Sequence, residues 1–280
     1  MLAELTSNPL LQSTFIPFVV TLVLATVLGV FGRGSGLAIA AGFYVAAWYI
    51  SGFQMMPLTS TRKILILGVA AVLLGMLIDN WRPLRRAGLP IIFIAGASSA
   101  LWLIWPLLVR SSGSALWLLG GSAVVYVTWN SLWLYGLRKK PWRISSAALF
   151  IAAGTGIAAL FGASALLGQL ASALAAAIAG LLIIGLIFSS SAANKVGNVG
   201  AAMAMPVAVL SSLIGLSASV YAQLPWYSLA FLAAIPLLAY IPLSARNSWR
   251  QVLIMMLVFT PAVAAAVFIA WMSGGGDFPF

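Results

Sequence analysis

Runs of about twenty apolar residues, separated by short turns of basic or small polar residues, recur from Thr14 to Met272. As a helix, a run of that length matches the hydrocarbon thickness of a bilayer. In lipid the backbone can satisfy its hydrogen bonds only within helices or closed barrels, and runs this long are too long for barrel strands. A water-facing surface needs many charges. This chain has 14 Lys or Arg and 3 Asp or Glu in 280 residues, is 63% hydrophobic and has a mean hydropathy of +1.13. The expected fold is an all-α polytopic transmembrane helical bundle, a single integral membrane domain over 1–280 with no extramembrane domain.

Hydropathy and turn residues predict about ten spans, at 14–32, 35–53, 64–80, 88–109, 114–136, 145–167, 170–188, 199–222, 226–243 and 251–272. The first carries Glu4 rather than a basic leader before it, so it is expected to be a retained anchor. The join within 145–188 is interrupted only by Gly168 and Gln169. Unbroken, it would run about 65 Å, twice the hydrocarbon thickness, so it is expected to fold back there. Charge parity favours the same choice. Ten spans place Arg33, Arg82, Arg85, Arg86, Arg138, Lys139, Lys140, Arg143, Lys195, Arg246 and Arg250 on one face, opposite Arg62, Lys63 and Arg110. By the positive-inside rule the basic loops are then cytoplasmic and both termini periplasmic, in what short loops and charge bias suggest is a bacterial inner membrane.

Tryptophan and tyrosine fall near the expected borders. Trp48, Tyr49, Trp102, Trp105, Trp117, Trp226, Tyr227 and Trp271 lie at one set of ends, and Trp81, Trp133, Tyr135, Trp142 and Trp249 at the other. This is the distribution of an interfacial belt, with Trp129 deeper than the rest. Gly154, Gly156, Gly162, Ser164, Gly168, Ser172, Ala176 and Gly180 recur at intervals near four, which lets helix backbones approach closely. The expected tight centre is therefore 145–222, with the first five spans facing lipid or a partner. Ten short-looped spans in under 300 residues resemble the outline of the drug/metabolite transporter superfamily. That family's motifs are not found and its termini are cytoplasmic, so no family is assigned on this ground.

Composition closes several functional classes. Without cysteine or histidine there is no thiol redox chemistry, no Cys/His zinc site, no His-ligated haem and no Ser-His or Cys-His pair. With Glu4, Asp79 and Asp277 as the only acids, a carboxylate metal centre or a two-acid hydrolase has no ligands to draw on. No catalytic residue, metal or cofactor is expected, and the balance of features leans away from an enzyme. The net charge of +11 is assigned to membrane orientation, so no nucleic-acid partner is expected.

The remaining candidates are polar residues at membrane depth. The longest polar interval of the second half, 189–206, holds Asn194, Lys195, Asn198 and Gly200 at the mouth of the span it opens. Free N–H groups and the positive dipole end of that helix can face an anion, with Lys195 adding charge; the plainer reading is a solvated loop with Asn198 as cap. Asp79 and Asn80 close the third span. Embedded acids often carry protons or cations, but Asp79 lies near a border, with Arg82 three residues on as the expected ion-pair partner. Two functions follow. The first is a small permease or secondary transporter for a neutral, lipid-like or anionic solute, with a cavity expected among the third, seventh and eighth spans. The alternative is a non-catalytic structural or assembly subunit of a larger membrane complex. The expected partners are the lipid bilayer and, for the second reading, other membrane subunits or further copies of the chain.

Overall fold

A computed structural model describes residues 8–27, 34–52, 56–110, 113–162, 164–192, 199–242 and 247–274. Those residues are helical with no strand among them. A π-helical turn at Leu11–Phe15 leads into α1 (Ile16–Val27). It is followed by α2 (Ser35–Ser51), α3 (Ser60–Asn80), a single turn α4 (Arg82–Arg86), α5 (Gly88–Leu108) and α6 (Ser114–Gly136). A 3₁₀ turn at Leu137–Lys139 joins α6 to α7 (Pro141–Phe161), then come α8 (Ala165–Ala192), α9 (Gly200–Tyr221), α10 (Trp226–Leu238) and α11 (Ser248–Ser273). Helices α3, α5, α7, α8, α9 and α11 are long and apolar enough to cross a membrane; Leu11–Val27, α2 and α10 are apolar but shorter. The chain is a helical membrane protein by length and composition.

One helix organises the bundle. Every residue of α9 from Gly200 to Ala218 is buried, and α2, α3, α5, α6, α7, α8 and α10 all pack on it. A helix apolar on every side belongs in the interior, and α9 offers alanine, glycine, serine and methionine where neighbours come close. Helices α3, α5 and α11 bury less than half of their apolar length. Their outward leucines and phenylalanines suit hydrocarbon.

The fold-back between α7 and α8 occurs six residues earlier than the sequence suggested. Helix α7 ends at Gly162, whose N–H reaches Ala158 O at 2.9 Å, and Ser164 restarts the chain by accepting from Leu167 N at 3.4 Å. A serine cap is a stronger start signal than an interior glycine is a stop signal. Gly168 instead lies inside α8, where Gly156 of the returning helix packs on its carbonyl, a Cβ on Gly156 falling 3.2 Å from Gly168 O.

The small-residue packing is wider than the second half of the chain. Gly36 on α2 and Gly75 on α3 press against the α9 backbone more closely than any glycine of α7. The early spans are therefore part of the tight centre, contrary to the expectation that they face outward. Two of the expected border aromatics are covered by protein, Tyr135 fully and Trp133 in part. Tyr135 is buried, and Trp133 stacks edge-on with Tyr240 at 5.1 Å while its carbonyl accepts from the Tyr240 hydroxyl at 3.2 Å. Trp129, the deep exception, donates from Nε1 to Ala233 O at 2.9 Å and so ties α6 to α10.

Contacts at the helix ends gather the basic residues. Asp79 meets Ala201 and Ala202, Val199 N donates to Arg138 O at 3.2 Å, and Gly88 lies against the Tyr135 hydroxyl. Arg82, Arg85, Arg86, Arg138, Lys139, Lys140 and Arg143 thus share one end of the bundle. At the opposite end the Lys63 ammonium donates to Trp102 O at 3.0 Å and the Tyr221 hydroxyl to Leu103 O at 3.0 Å. Arg143 closes α10, donating to Ala239 O at 3.1 Å and Ile241 O at 2.9 Å, carbonyls that the helix end leaves without partners. Replacing Arg143 with glutamine should lower the melting midpoint in detergent by roughly 3–6 °C, as charge-assisted bonds to two carbonyls are lost. A midpoint unchanged within error would show that these carbonyls are satisfied another way.

Candidate functional site

The start of α9 is held from three sides. The first N–H groups of a helix have no partner within it, and here an acid 120 residues away supplies one. Asp79 Oδ1 accepts from Ala201 N at 3.0 Å and Oδ2 from Ala202 N at 2.8 Å. Asp79 sits at the C-terminal end of α3, where its charge opposes the dipole of its own helix; at the N-terminus of α9 the same charge is favourable. Arg82 is not its partner: among the described residues Asp79 makes no ion pair, so the expected local pairing gives way to the carboxylate–helix bond. Two accurately directed N–H donors win over a flexible exposed guanidinium. Gly200 has φ +75°, the left-handed region that favours glycine, and a Cβ there would fall 2.0 Å from Asp79 Oδ2.

The second hold involves Pro206, one turn on. Proline has no N–H to give to the carbonyl four residues back, which is that of Ala202. That carbonyl faces Gly36 of α2, where a Cβ would come within 1.8 Å of the oxygen. The Cα hydrogens of Gly36 thereby face an orphaned acceptor, the arrangement of a weak Cα–H···O contact. Gly75 of α3 supplies the third hold, its Cβ position lying 2.5 Å from Ala201 O. The α3–α9 seam is closed at this level, and the anion at the helix end is Asp79 itself.

Of the candidates read from the sequence, Asp79 and Gly200 are brought together. Asn80, next to Asp79, is exposed. Asn194, Lys195 and Asn198 lie outside the described residues.

A second polar constellation sits deeper, where the sequence raised no candidate site. Tyr126 of α6, Thr155 of α7 and Gly215 of α9 converge: a Cβ on Gly215 would lie 3.1 Å from Tyr126 Oη and 3.6 Å from Thr155 Cγ2, with Leu229 Cδ2 of α10 at 3.1 Å. Thr155 Oγ1, Ser212 Oγ and Ser228 Oγ are buried and make no hydrogen bond to another group of the protein, while the buried Tyr126 hydroxyl has the Asn130 side chain as its polar neighbour. Asn130 follows Tyr126 by one turn on the same face, Ser212 precedes Gly215 by three residues, and Ser228 adjoins Leu229. Other hydroxyls of these helices divide: Thr128 donates to Val124 O at 2.6 Å and Ser211 to Val207 O at 2.7 Å, whereas Ser131, Ser146 and Ser217 are buried without a hydrogen bond within the protein. A buried polar atom left unpaired costs about 1–3 kcal/mol, so polar groups gathered beside Gly215 require a reason.

No protein-family model and no curated protein matches the chain. The reading of its function therefore rests on these two constellations. Among the described residues no group of His, Cys, Asp and Glu is placed to hold a metal ion. What the deeper constellation offers is hydrogen bonding without charge: hydroxyl donors and acceptors and one amide oxygen between four helices.

Proposed function

We propose that the protein is a small permease or secondary transporter for a polar, uncharged solute. The observation that carries this reading is the group of buried, uncharged polar side chains beside Gly215, among them Thr155 and Ser212, whose hydroxyls make no hydrogen bond within the protein. It lies between α6, α7, α9 and α10 rather than among the third, seventh and eighth spans, where a path was expected. Groups that a solid bundle would leave at a cost are useful where a solute's own hydroxyl, amide or carbonyl groups complete the bonds in transit. The absence of charge among them argues against a cation or a strong acid as cargo. The closed seam at Asp79 provides a fixed part against which other helices can move, as alternating access requires. In this reading the ten helices longer than one turn cross a bacterial inner membrane, the basic end is cytoplasmic, and both termini are periplasmic.

The chain contains no cysteine, so single-cysteine variants report accessibility without background. Ser212→Cys and Thr155→Cys, in membrane vesicles, should react with a small hydrophilic methanethiosulfonate. Ile178→Cys, at a fully buried apolar position, should not. If neither polar position reacts from either side of the membrane while the variants remain folded, the transporter reading fails.

The alternative, a structural or assembly subunit, is favoured by one observation of its own. Trp105, Val109, Trp117 and Leu118 are all largely exposed near one end of α5 and α6, and such a patch at membrane depth suits another subunit as well as lipid. Purification of a stable stoichiometric complex in mild detergent, together with unreactive cysteines, would decide for it.

A further inference from the structure

The two basic clusters at the same end of the bundle are used in opposite ways. In the second cluster three of the four charges, Arg138, Lys140 and Arg143, are used inside the protein. Arg138 donates from Nη1 to Tyr135 O at 3.0 Å and lies 3.8 Å from the centre of the Tyr135 ring; Arg143 holds the end of α10; Lys140 stands 5.7 Å from the Tyr240 ring. In the first cluster, Arg82, Arg85 and Arg86 are exposed on α4 and line an open groove of about 400 Å³. Among the described residues their side chains have no hydrogen bond, ion pair or ring contact. The nearest acid in sequence, Asp79, is committed to the N–H groups of α9. Three guanidinium groups side by side repel one another unless an anion lies between them.

The surroundings of the groove specify the anion. Trp81, exposed, immediately precedes Arg82, and an indole at such a helix end favours the headgroup region. The helices that α4 joins each carry an exposed apolar pair one turn apart, Leu73 and Leu77 on α3 and Leu89 and Phe93 on α5. Basic head and apolar pairs together match an amphiphile with a negative headgroup and two acyl chains. Arginine rather than lysine matches a phosphate in particular, because the planar fork donates two parallel N–H bonds to its oxygens.

We propose that the Arg82/Arg85/Arg86 groove binds the phosphate of an anionic phospholipid, with the acyl chains along the exposed apolar pairs of α3 and α5. This site is separate from the polar set around Gly215 and does not depend on the transport reading. Basic groups just outside a membrane helix attract anionic lipid in general, by about 1 kcal/mol each. The groove adds geometry to that attraction.

The test uses the full chain purified in a mild detergent, with bound lipid counted by native mass spectrometry and the melting midpoint measured alongside. Added phosphatidylglycerol should be retained and should raise the midpoint, whereas phosphatidylcholine or inorganic phosphate at the same concentration should do neither. The triple variant Arg82→Lys, Arg85→Lys, Arg86→Lys keeps the charge and the orientation signal but loses the forked donors. It should retain phosphatidylglycerol about fivefold less well while melting normally without lipid. The triple glutamine variant should retain still less. Equal retention by the lysine variant and the parent would overturn the proposal, and so would a stabilisation reproduced by inorganic phosphate alone, which would point to a soluble ligand.

Discussion

Replacing Gly36 with alanine should destabilise the protein by more than about 3 kcal/mol, enough to lower the melting midpoint by on the order of 10 °C or to abolish recovery of folded protein. The added Cβ would sit 1.8 Å from Ala202 O, so the two backbones must part by about 1.5 Å to reach ordinary C···O separation. Neither side can yield by a rotamer change. The obstacle is a main-chain carbonyl, and moving it moves the first turn of α9, to which Asp79 and Gly75 are also fastened. Gly121 on α6 is the control. A Cβ there meets nothing within 4 Å, so Gly121→Ala should be neutral or up to about 1 kcal/mol stabilising. Size-exclusion profiles and melting curves of the two variants, prepared alike, measure the contrast. A Gly36→Ala protein that melts within 2 °C of the parent would show that α2 does not press on α9 in this way.

Most of the helices were legible because apolar length and turn residues act locally. The described helices follow the expected spans except at the α7–α8 join, which comes six residues early, and in the last part of 226–243, since α10 ends at Leu238, two residues past Pro236. The partner of Asp79 was not legible. Arg82 stands three residues away and fits a local pairing rule, whereas Ala201 and Ala202 are apolar residues that contribute only backbone N–H groups. No side-chain pattern marks a backbone donor. The Gly215 constellation was hidden for a similar reason. Thr155 and Thr128 look alike in sequence, and only the packing decides that one hydroxyl returns to its own helix and the other is buried without a bond. Tyr135 and Trp133 were placed at the border by their type and position, yet the carbonyl and ring contacts of Tyr240 draw Trp133 inward and the guanidinium of Arg138 covers Tyr135.

These misses share a location. Each involves α9 or the helices on either side of it, where residues far apart in the chain meet. Glycine, alanine and serine dominate there, and small residues carry little directional information until their neighbours are known. The peripheral helices, with large side chains turned outward, are where periodicity and aromatic borders serve best.

Asp79→Ala should lower the melting midpoint by on the order of 10 °C, and Asp79→Asn by about half as much. Alanine removes both acceptors from Ala201 N and Ala202 N and leaves the positive end of a buried helix without an anion; charge-assisted bonds are worth about 1.5–3 kcal/mol each, and helix caps about 1–2. Asparagine retains one carbonyl oxygen and loses the charge. The comparison with Arg82→Gln identifies the partner. If Asp79 acted through Arg82 at the surface, the two variants would match and both effects would shrink in 0.5 M salt, where screening extends to only a few ångströms. With the helix end as partner, Arg82→Gln should shift the midpoint by less than about 2 °C, and the loss in Asp79→Ala should persist in salt because the half-buried donors are fixed and poorly screened. Equal, salt-sensitive losses in Asp79→Ala and Arg82→Gln would instead return the carboxylate to the surface and release α9 from α3.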